Sequence, residues 1–419
     1  MNNKIKLAVA GAVLSAASAA NAGIIIPAGD WTVDINGNVN AFAIFGNNDD
    51  SSTAAAAGTI VGGIAGAEDA DGEGNTYGIN TGLLPAWLGF TGTTRQNDLD
   101  VSFTISFQPN VSDNSSDGMG DTKTPLNRQA FVTFGDKSWG TVKLGKDLGI
   151  FAGNAILNDM TLLGVGAGQG SGGVTTLGGI GTGYIYPAWR GQISYTTPNM
   201  NGFTATVAIT NPDQGQSGNN GYNQDRFGYE GQVQYAWTGD VAGKVWASGA
   251  SYDRQFVSAS DTVSSTATSV VNDSDTTTAW DIGAAITAGN LGLVAYYYET
   301  EGAGTTLNLL DAQQGFWNDA GNSIKARDGD GGYVQATYVI PTGTKLGLAY
   351  GVNNLDRASG ETKTGNIQLE KNERWTVGAY HPLTKHLNLV AEYNKIESEA
   401  QNGNDRESDA LSLGAILFF

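Results

Sequence analysis

The sequence contains no cysteine, two histidines, four methionines and few basic residues, 22 Lys and Arg against 41 Asp and Glu. Without cysteine the chain has no disulfides, which small secreted domains often need, so it is held together in another way. Beyond the N-terminus no stretch approaches 18 consecutive apolar residues, which excludes a helical membrane protein. Sixty glycines point away from a helical core and favour many strands joined by turns.

Residues 1–22, MNNKIKLAVAGAVLSAASAANA, have the features of a secretory signal. Two lysines precede a short apolar stretch, and small residues end at Ala22 in an A-x-A-like cleavage site. A membrane helix is the weaker interpretation because the stretch is short and rich in small residues. We therefore expect a mature chain of residues 23–419, whose net charge falls from −19 to −21 with the loss of the two lysines.

Apolar and polar residues alternate along many segments of the mature chain. LDVSFTISFQ, residues 99–108, alternates without error, and the C-terminal DALSLGAILFF sets leucines and Phe419 on one face. Such patterns predict two-faced strands. An apolar C-terminal strand left at a sheet edge would aggregate, so another element must cover it.

The connections between these strands alternate in length. Seven short ones have tight-turn compositions, such as Gln96–Asp98 and Thr342–Thr344. Eight long polar segments lie between them, near 46–76, 110–126, 149–188, 211–226, 258–277, 301–329, 356–371 and 397–408. The count predicts about sixteen strands, with both chain ends on the short-turn side.

Apolar and polar residues also alternate in the strands of a soluble β-sandwich. The choice between a sandwich and a membrane barrel therefore depends on the connections and on the aromatic residues. Strands of about ten residues, with short turns on one rim and long loops on the other, are typical of an outer-membrane barrel. Trp and Tyr near strand ends fit an interfacial girdle: Trp31, Tyr195, Trp237, Tyr338, Trp375 and Tyr380. The sequence therefore predicts an all-β fold, a transmembrane antiparallel β-barrel, which has no free edge because its last strand pairs with its first.

The chain resembles the general diffusion porins of Gram-negative outer membranes, in particular the type with sixteen strands. The resemblance spans the mature chain and rests on the start GDWTVDINGNVNAFAIF, the block NRQAFVTFGDKSWGTVKLGKD, the long third loop at 149–188, the opening WRGQISYTTPNMNGF and the terminal Phe419. It implies a homotrimer whose third loop folds inward and narrows the pore. It also implies that Phe419 is the signal read by the outer-membrane assembly machinery.

Four charged residues match the family pattern at the constriction. The resemblance implies that Arg128 is the barrel-wall arginine before an Ala-Phe pair and that Lys146 is the basic residue before the third loop. It further implies that Arg190 is the arginine opening the next strand and that Asp159 is an acid of the inward loop. The chain departs from the family in two respects. Asp159 is the only charged residue between 149 and 188, and the basic residue that the family often has early in the second strand is absent from Pro85–Gly89.

The polar faces of the predicted strands should line the lumen. By alternation this face carries five acids, Asp34, Asp100, Glu230, Asp281 and Glu392, and two bases, Lys143 and Lys345. Each carboxylate raises the local cation concentration within a Debye length of about 8–10 Å, so we expect a modest cation preference. The alternative is that these acids merely solvate a wide channel. Acids of the long loops are either solvated surface or sites where divalent cations bridge to lipopolysaccharide.

These observations predict a water-filled outer-membrane porin for passive diffusion of ions and small hydrophilic solutes. An enzyme is disfavoured because His381 and His386 belong to no catalytic or zinc motif. No cofactor is expected, and the negative charge repels nucleic acid. The alternative is a channel specific for a sugar or small organic solute, suggested by the aromatic runs Tyr296–Tyr298 and Tyr184–Trp189 and by the nearly uncharged third loop. A surface receptor or adhesin is also compatible with the loops.

Overall fold

Twenty β-strands make up most of the chain in the computed structural model, which describes residues 23–50, 60–66, 72, 74–109, 111, 126–168, 175–211, 226–257, 272–306, 315–317 and 324–419. The predicted signal at 1–22 lies outside these residues. The strands are β1 (Ile24–Ala28), β2 (Trp31–Asp50), β3 (Asn75–Asn80), β4 (Trp87–Gln96), β5 (Leu99–Gln108), β6 (Leu126–Asp136), β7 (Gly140–Leu148), β8 (Trp189–Thr196), β9 (Phe203–Thr210), β10 (Gly228–Trp237), β11 (Val241–Val257), β12 (Asn272–Ala288), β13 (Leu291–Glu301), β14 (Gly315–Trp317), β15 (Ile324–Ala326), β16 (Asp328–Val339), β17 (Lys345–Leu355), β18 (Leu369–Pro382), β19 (Leu387–Ala400) and β20 (Asp405–Phe418).

Sixteen strand positions close into one antiparallel barrel. Each strand from β4 to β13, and from β16 to β20, pairs with its neighbour in the chain, with β13 pairing to β16. The barrel closes where β20 pairs with β2, from Asn38 opposite Phe418 to Asp50 opposite Arg406. On the other side of β2, β3 and β4 together fill one strand position. The predicted sixteen-stranded β-barrel is thus confirmed.

Two small hairpins stand beside this wall. β1 folds back on the start of β2, and β14 pairs only with β15. Among the described residues, helix is confined to the connection between β7 and β8, as α1 (Gly153–Asn158) and a 3₁₀ turn (Met160–Leu163). No helix in the described ranges is both long and apolar enough to cross a membrane.

The alternation of side chains decides what faces outward. In β20, Leu411, Leu413 and Leu417 are exposed on the outside while Ser412 is fully buried inside. Exposed apolar side chains recur on the outer faces of most strands, as the lipid contact of a membrane barrel requires. Among the predicted girdle residues, Tyr195, Tyr338 and Trp375 are exposed, consistent with a membrane interface.

One girdle assignment was wrong. Tyr380 is 2% exposed and lies inside the barrel, where its hydroxyl donates to Glu392 at 2.7 Å. It shares the inner face of β18 with Arg374 and Thr376, because side chains two residues apart point the same way. Position near a strand end therefore misled the assignment, whereas alternation along β18 would have placed the ring inside.

The predicted long loop at 397–408 is also wrong. β19 runs to Ala400 and β20 begins at Asp405, so only residues 401–404 connect them. Its high content of charged residues is typical of a loop, which is why the sequence pattern predicts one there. Glu397, Glu399 and Glu407 lie on the outer face above the apolar belt, where water instead of lipid solvates them.

An ion pair ties two long connections together at the rim opposite the short turns, here called the long-loop rim. Arg327, just before β16, donates to both carboxylate oxygens of Glu361 at 2.7 and 2.9 Å. The same carboxylate accepts from the backbone N–H of Ala358 and the side chain of Asn366, each at 3.0 Å. Burial alone would raise the pKa of Glu361, but these donors, Arg327 foremost, lower it below its ordinary value of 4.5.

The lowered pKa of Glu361 predicts that acid loosens the connection at 356–368. A carboxylate with a depressed folded-state pKa stabilises the fold above its unfolded-state pKa, and this stabilisation is lost as the pH falls through the folded value. Hydrogen exchange of this segment, corrected for intrinsic rates, should therefore be slower at pH 7 than at pH 3. In Glu361→Gln the exchange should be fast at both pH values. Identical protection in the variant and the native chain at pH 7 would contradict the assignment.

Barrel closure generates a second prediction at Gly37. Its backbone exchanges hydrogen bonds with Phe419, at 2.8 and 3.0 Å, and a Cβ at Gly37 would lie 2.2 Å from the carbonyl oxygen of Trp87. We expect Gly37→Ala to lower the free energy of unfolding by about 1–3 kcal/mol, because the backbone of β2 must shift where the barrel closes. Urea unfolding in lipid vesicles measures this.

The matched control for Gly37 is another strand glycine. A Cβ at Gly231 of β10 would meet only the carbonyl oxygen of Thr206, at 3.8 Å, which is ordinary contact. Gly231→Ala should leave the unfolding midpoint nearly unchanged. Equal effects of the two substitutions would show that barrel closure against Phe419 does not require glycine at residue 37.

Candidate functional site

The connection between β7 and β8, residues 149–188 and called loop 3 below, lies inside the barrel. Many of its described residues are buried, including Phe151, Ala155, Met160, Val165, Ile180 and Tyr184. The buried N–H groups of such a loop cannot bond to bulk water, so each needs an acceptor either within the loop or on the barrel wall. The inner faces of the strands provide the acceptors on the wall.

Two wall carboxylates hold the start of loop 3. Glu230 on β10 accepts the backbone N–H groups of Ile150 and Phe151, at 2.5 and 3.1 Å. Asp281 on β12 accepts the N–H of Ala152 at 3.1 Å. Ala152 has a φ of 58°, the left-handed conformation that turns the chain into α1. Three successive amides thus point at two charged acceptors, which form stronger hydrogen bonds than neutral ones.

A third wall carboxylate holds the middle of loop 3. Glu392 on β19 accepts the N–H groups of Val165 and Gly166, at 2.9 and 2.8 Å, and is 1% exposed. Its other oxygen accepts from Tyr380. Close approach requires glycine here, because a Cβ at Gly164 would lie 2.0 Å from this carboxylate.

Neutral side chains bind the helical part of loop 3. Gln335 on β16 accepts the N–H of Met160 and donates to the carbonyl of Asn158, both at 2.8 Å. Tyr333 donates to the carbonyl of Ala155 at 2.8 Å. The loop is therefore hydrogen-bonded to the wall at its start, along α1 and at its middle.

The predicted constriction residues Arg190 and Asp159 belong to this anchorage. Arg190 is 4% exposed, and its Nε lies 3.3 Å from a carboxylate oxygen of Glu230. Its guanidinium carbon lies 4.5 Å from the ring centroid of Tyr252. Asp159 accepts the hydroxyl of Tyr184 at 2.7 Å and lies 3.7 Å from Arg374 on β18. Both charges thus brace loop 3.

Tyr184 supplies the hydroxyl that joins loop 3 to itself. Complete burial, with the negative charge of Asp159 beside it, raises the pKa of Tyr184 well above its usual value. The phenol therefore stays protonated and donates to Asp159, while its oxygen accepts from the N–H of Gly179 at 3.1 Å. This tyrosine links the descending and returning halves of the loop.

An aromatic cluster fills the space between loop 3 and β11–β16. It comprises Tyr184, Trp246, Tyr252, Tyr296, Tyr298 and Tyr333. Tyr296 is 5% exposed and Tyr298 is fully buried, whereas Tyr297 between them faces outward and is exposed. The aromatic run considered as a sugar track therefore packs beneath the loop or faces out.

Two further segments occupy the lumen. Residues 60–66 of the first long connection are hydrogen-bonded to the inner face of β18 and β19, through Asn372 and Ser398. Residues 81–86, between β3 and β4, are buried, and Asn38 and Asn40 of β2 donate to their carbonyl groups. The loop composition of these segments gave no sign that they turn inward.

The inner face of β5–β7 carries a row of polar side chains. Lys143 forms an ion pair with Asp147, both on the inner face of β7. Gln129 donates to Asp147 at 3.0 Å and accepts from Ser106 at 3.0 Å. Loop 3 makes its wall hydrogen bonds mainly with β10–β19, so this polar face, the polar wall, lies on the less occupied side.

The remaining predicted site residues lie apart from loop 3. Asp34 is half-buried near the β1 hairpin, and Asp100 pairs with Arg95 at 2.7 Å beside a short turn. Lys146 is exposed and, by alternation with Lys143, lies on the outer face. Phe419 closes the barrel against Gly37. The structure does not bring these four into the constriction.

Arg128 lies at an irregularity in β6. The pairing with β5 shifts between Ser106 and Phe107, so Arg128 is an extra residue, and its N–H is bound by Gln108 at 3.1 Å. Its guanidinium carbon lies 5.8 Å from the ring centroid of Trp189, the first residue of β8 after loop 3. A bulge of this kind redirects a side chain, here toward loop 3.

Within the described residues, no group of three or more His, Cys, Asp or Glu side chains has the arrangement to hold a metal ion. What the site contains is a loop fixed across the lumen of a closed, lipid-facing barrel. This architecture defines an outer-membrane channel, in which loop volume sets the constriction.

Comparison with known proteins agrees with this class. A family model described as Gram-negative porin matches residues 7–401, and the chain belongs to this family. Its location is accordingly the outer membrane. No curated protein sequence matches the chain.

Solved structures share the fold at low sequence identity. The outer-membrane channel DcaP of Acinetobacter baumannii has a TM-score of 0.66 at 16% identity, covering 95% of this chain and 100% of that chain. OmpF of Salmonella typhi, in complex with daunomycin, has a TM-score of 0.57 at 15% identity, covering 94% and 100%. A trimer form of OmpT of Vibrio cholerae has a TM-score of 0.55 at 15% identity, covering 93% and 99%.

The anchoring of loop 3 by Glu392 predicts the behaviour of single channels. Glu392→Leu removes the oxygen that accepts the N–H groups of Val165 and Gly166. Each hydrogen bond to a charged group contributes roughly 1.5–3 kcal/mol, so segment 164–166 should detach. Brief partial closures in planar-bilayer recordings should become more frequent. Glu392→Gln keeps one oxygen and should give an intermediate result.

The control for this experiment lies on the same strand. Glu397→Leu makes the same chemical change on the outer face of β19, away from loop 3, and its frequency of brief partial closures should match that of the native channel. Unchanged open-channel noise in Glu392→Leu would mean that this carboxylate does not hold loop 3.

Proposed function

We propose that the chain forms a water-filled channel for passive diffusion of ions and small hydrophilic solutes. The observation that carries this proposal is the asymmetric anchoring of loop 3, which is bound to β10–β19 and leaves the polar wall of β5–β7 on the other side. Amide, hydroxyl and paired charged groups on that wall solvate ions and polar solutes without a fixed binding site.

We further propose a modest cation preference, set mainly at the long-loop rim. Lumen acids have partners: Glu230 lies beside Arg190, Asp147 beside Lys143 and Asp159 beside Arg374. At the long-loop rim the ends of β13 and β16–β20 carry more acids than bases. The acids are Glu299, Glu301, Asp328, Asp330, Glu370, Glu373, Glu397, Glu399, Asp405, Glu407 and Asp409, and the bases are Lys371, Lys395 and Arg406. Their summed field enriches cations at the mouth.

The assembly is proposed to be a homotrimer exported with the signal at 1–22. The trimer form of the Vibrio cholerae protein supports this assembly, since the two chains share a fold. Phe419, at the closing strand, is proposed as the signal for the assembly machinery. Outer-membrane lipid and lipopolysaccharide are its proposed surroundings, in keeping with the exposed apolar belt and the acidic long-loop rim.

We assign no catalytic activity to the chain. His381 and His386 lie beside the short turn between β18 and β19, where His381 contacts the hydroxyl of Thr344 at 3.0 Å. This contact joins the end of β18 to the short turn before β17.

The reversal potential under a KCl gradient tests the selectivity. It should have the sign of a cation-selective channel at 0.1 M and shrink toward 1 M, because the Debye length falls from about 10 Å to about 3 Å. The double substitution Asp328→Asn with Asp330→Asn should reduce the reversal potential at 0.1 M KCl below that of the native channel. Asp98→Asn with Asp240→Asn removes the same charge from short turns and should have a smaller effect.

An anion-selective potential would overturn the proposed preference. A purified, heat-modifiable barrel that never conducts would overturn the diffusion channel itself. A second function, selective uptake of an organic solute, is favoured by a mostly apolar cavity beside Arg128.

A further inference from the structure

A partly enclosed cavity of about 210 Å³ lies between loop 3 and the barrel wall. Its lining is mostly apolar, with leucines from three parts of the chain: Leu83, Leu84, Leu148, Leu157, Leu162 and Leu177. An apolar protein cavity of about 150 Å³ accepts benzene. The cavity therefore has room for one ring or a short hydrocarbon chain.

Arg128 is the one charged residue among those that line this cavity. Within the described part of the chain it forms no ion pair, unlike Lys143, Arg190 and Arg374, which all face carboxylates. Trp189 lies against its guanidinium, and the bulge in β6 directs it toward the apolar space. A guanidinium is a planar set of donors that matches a carboxylate in two hydrogen bonds.

Thr176 offers a further polar group at the same cavity. It is 1% exposed, and its hydroxyl has no hydrogen-bond partner among the described residues. A buried hydroxyl without a partner is costly, and a bound polar atom would relieve that cost. The cavity thus combines an apolar body with an unpaired cation and an unused hydroxyl.

We propose that this cavity binds small amphiphilic carboxylates, which have one carboxylate on a ring or short hydrocarbon. Arg128 would receive the carboxylate while the leucines contact the apolar body. A sugar fits poorly, because its hydroxyls would lose water against leucine side chains without gaining partners. The inference rests on the proposed channel function and names a class of solute that pauses at its constriction.

Calorimetric titration of the folded protein in detergent tests the site with three probes: benzoate, acetate and benzamide. Acetate lacks the ring and benzamide lacks the charge, so benzoate should bind at least about tenfold more tightly than either. If acetate bound as tightly as benzoate, the affinity would come from general attraction of anions and not from the apolar lining of the cavity. Equal binding of benzamide would mean that Arg128 does not bind the carboxylate. Either result overturns the proposal.

Substitutions at residue 128 locate the binding. Arg128→Gln should weaken benzoate about tenfold or more, since a charge-assisted hydrogen bond is lost, and Arg128→Lys should be intermediate. The matched control is Arg95→Gln, an arginine paired with Asp100 and Asp136 beside the short turns, which should bind benzoate as the native chain does. Unchanged affinity in Arg128→Gln would overturn the site. If that variant does not fold, Arg128→Lys and the probe series decide.

Conductance in KCl alone separates this proposal from the channel on which it rests. A channel that conducts KCl but does not bind benzoate loses only the carboxylate site. A protein that binds benzoate but conducts no KCl retains the site and loses the diffusion channel.

Discussion

Carboxylates on the inner wall of this barrel are hydrogen-bond acceptors for the backbone of a loop that cannot reach bulk water. Glu230, Asp281 and Glu392 together accept five N–H groups of loop 3. Because these acceptors lie on three separate strands, they fix the loop across the lumen at both its start and its middle. The position of the constriction, the buried aromatic cluster and the less occupied polar wall all follow from this anchorage.

The same interaction changes how the lumen charges are understood. An acid that binds loop amides, or that faces Arg190 or Arg374, contributes less to the field in the channel than a free carboxylate. The selectivity we propose therefore depends on the long-loop rim, while the lumen itself is close to balanced. In that setting Arg128 stands out, because it faces an apolar cavity where the other lumen arginines face carboxylates.

The alternation of apolar and polar residues was sufficient to predict the sixteen strands, because each strand has one face toward lipid and one toward the polar groups inside the barrel. It also set Glu230, Asp281 and Glu392 on the inner face, although their effect on selectivity stays a prediction. It could not show that they bind loop 3, since the path of a loop depends on contacts between residues distant in sequence. Tyr380 and segment 397–408 were misassigned because strand ends and charged strand extensions have the composition of interfaces and loops.

Hydrogen exchange of loop 3 in the native protein tests the central claim most directly. Peptides covering residues 150–166 should exchange as slowly as peptides from β19 and β20, because wall carboxylates bind amides at both ends of this segment and the segment is shielded from water. Exchange of this segment at the rate of an exposed loop, with the strands still protected, would show that loop 3 is not anchored inside the barrel.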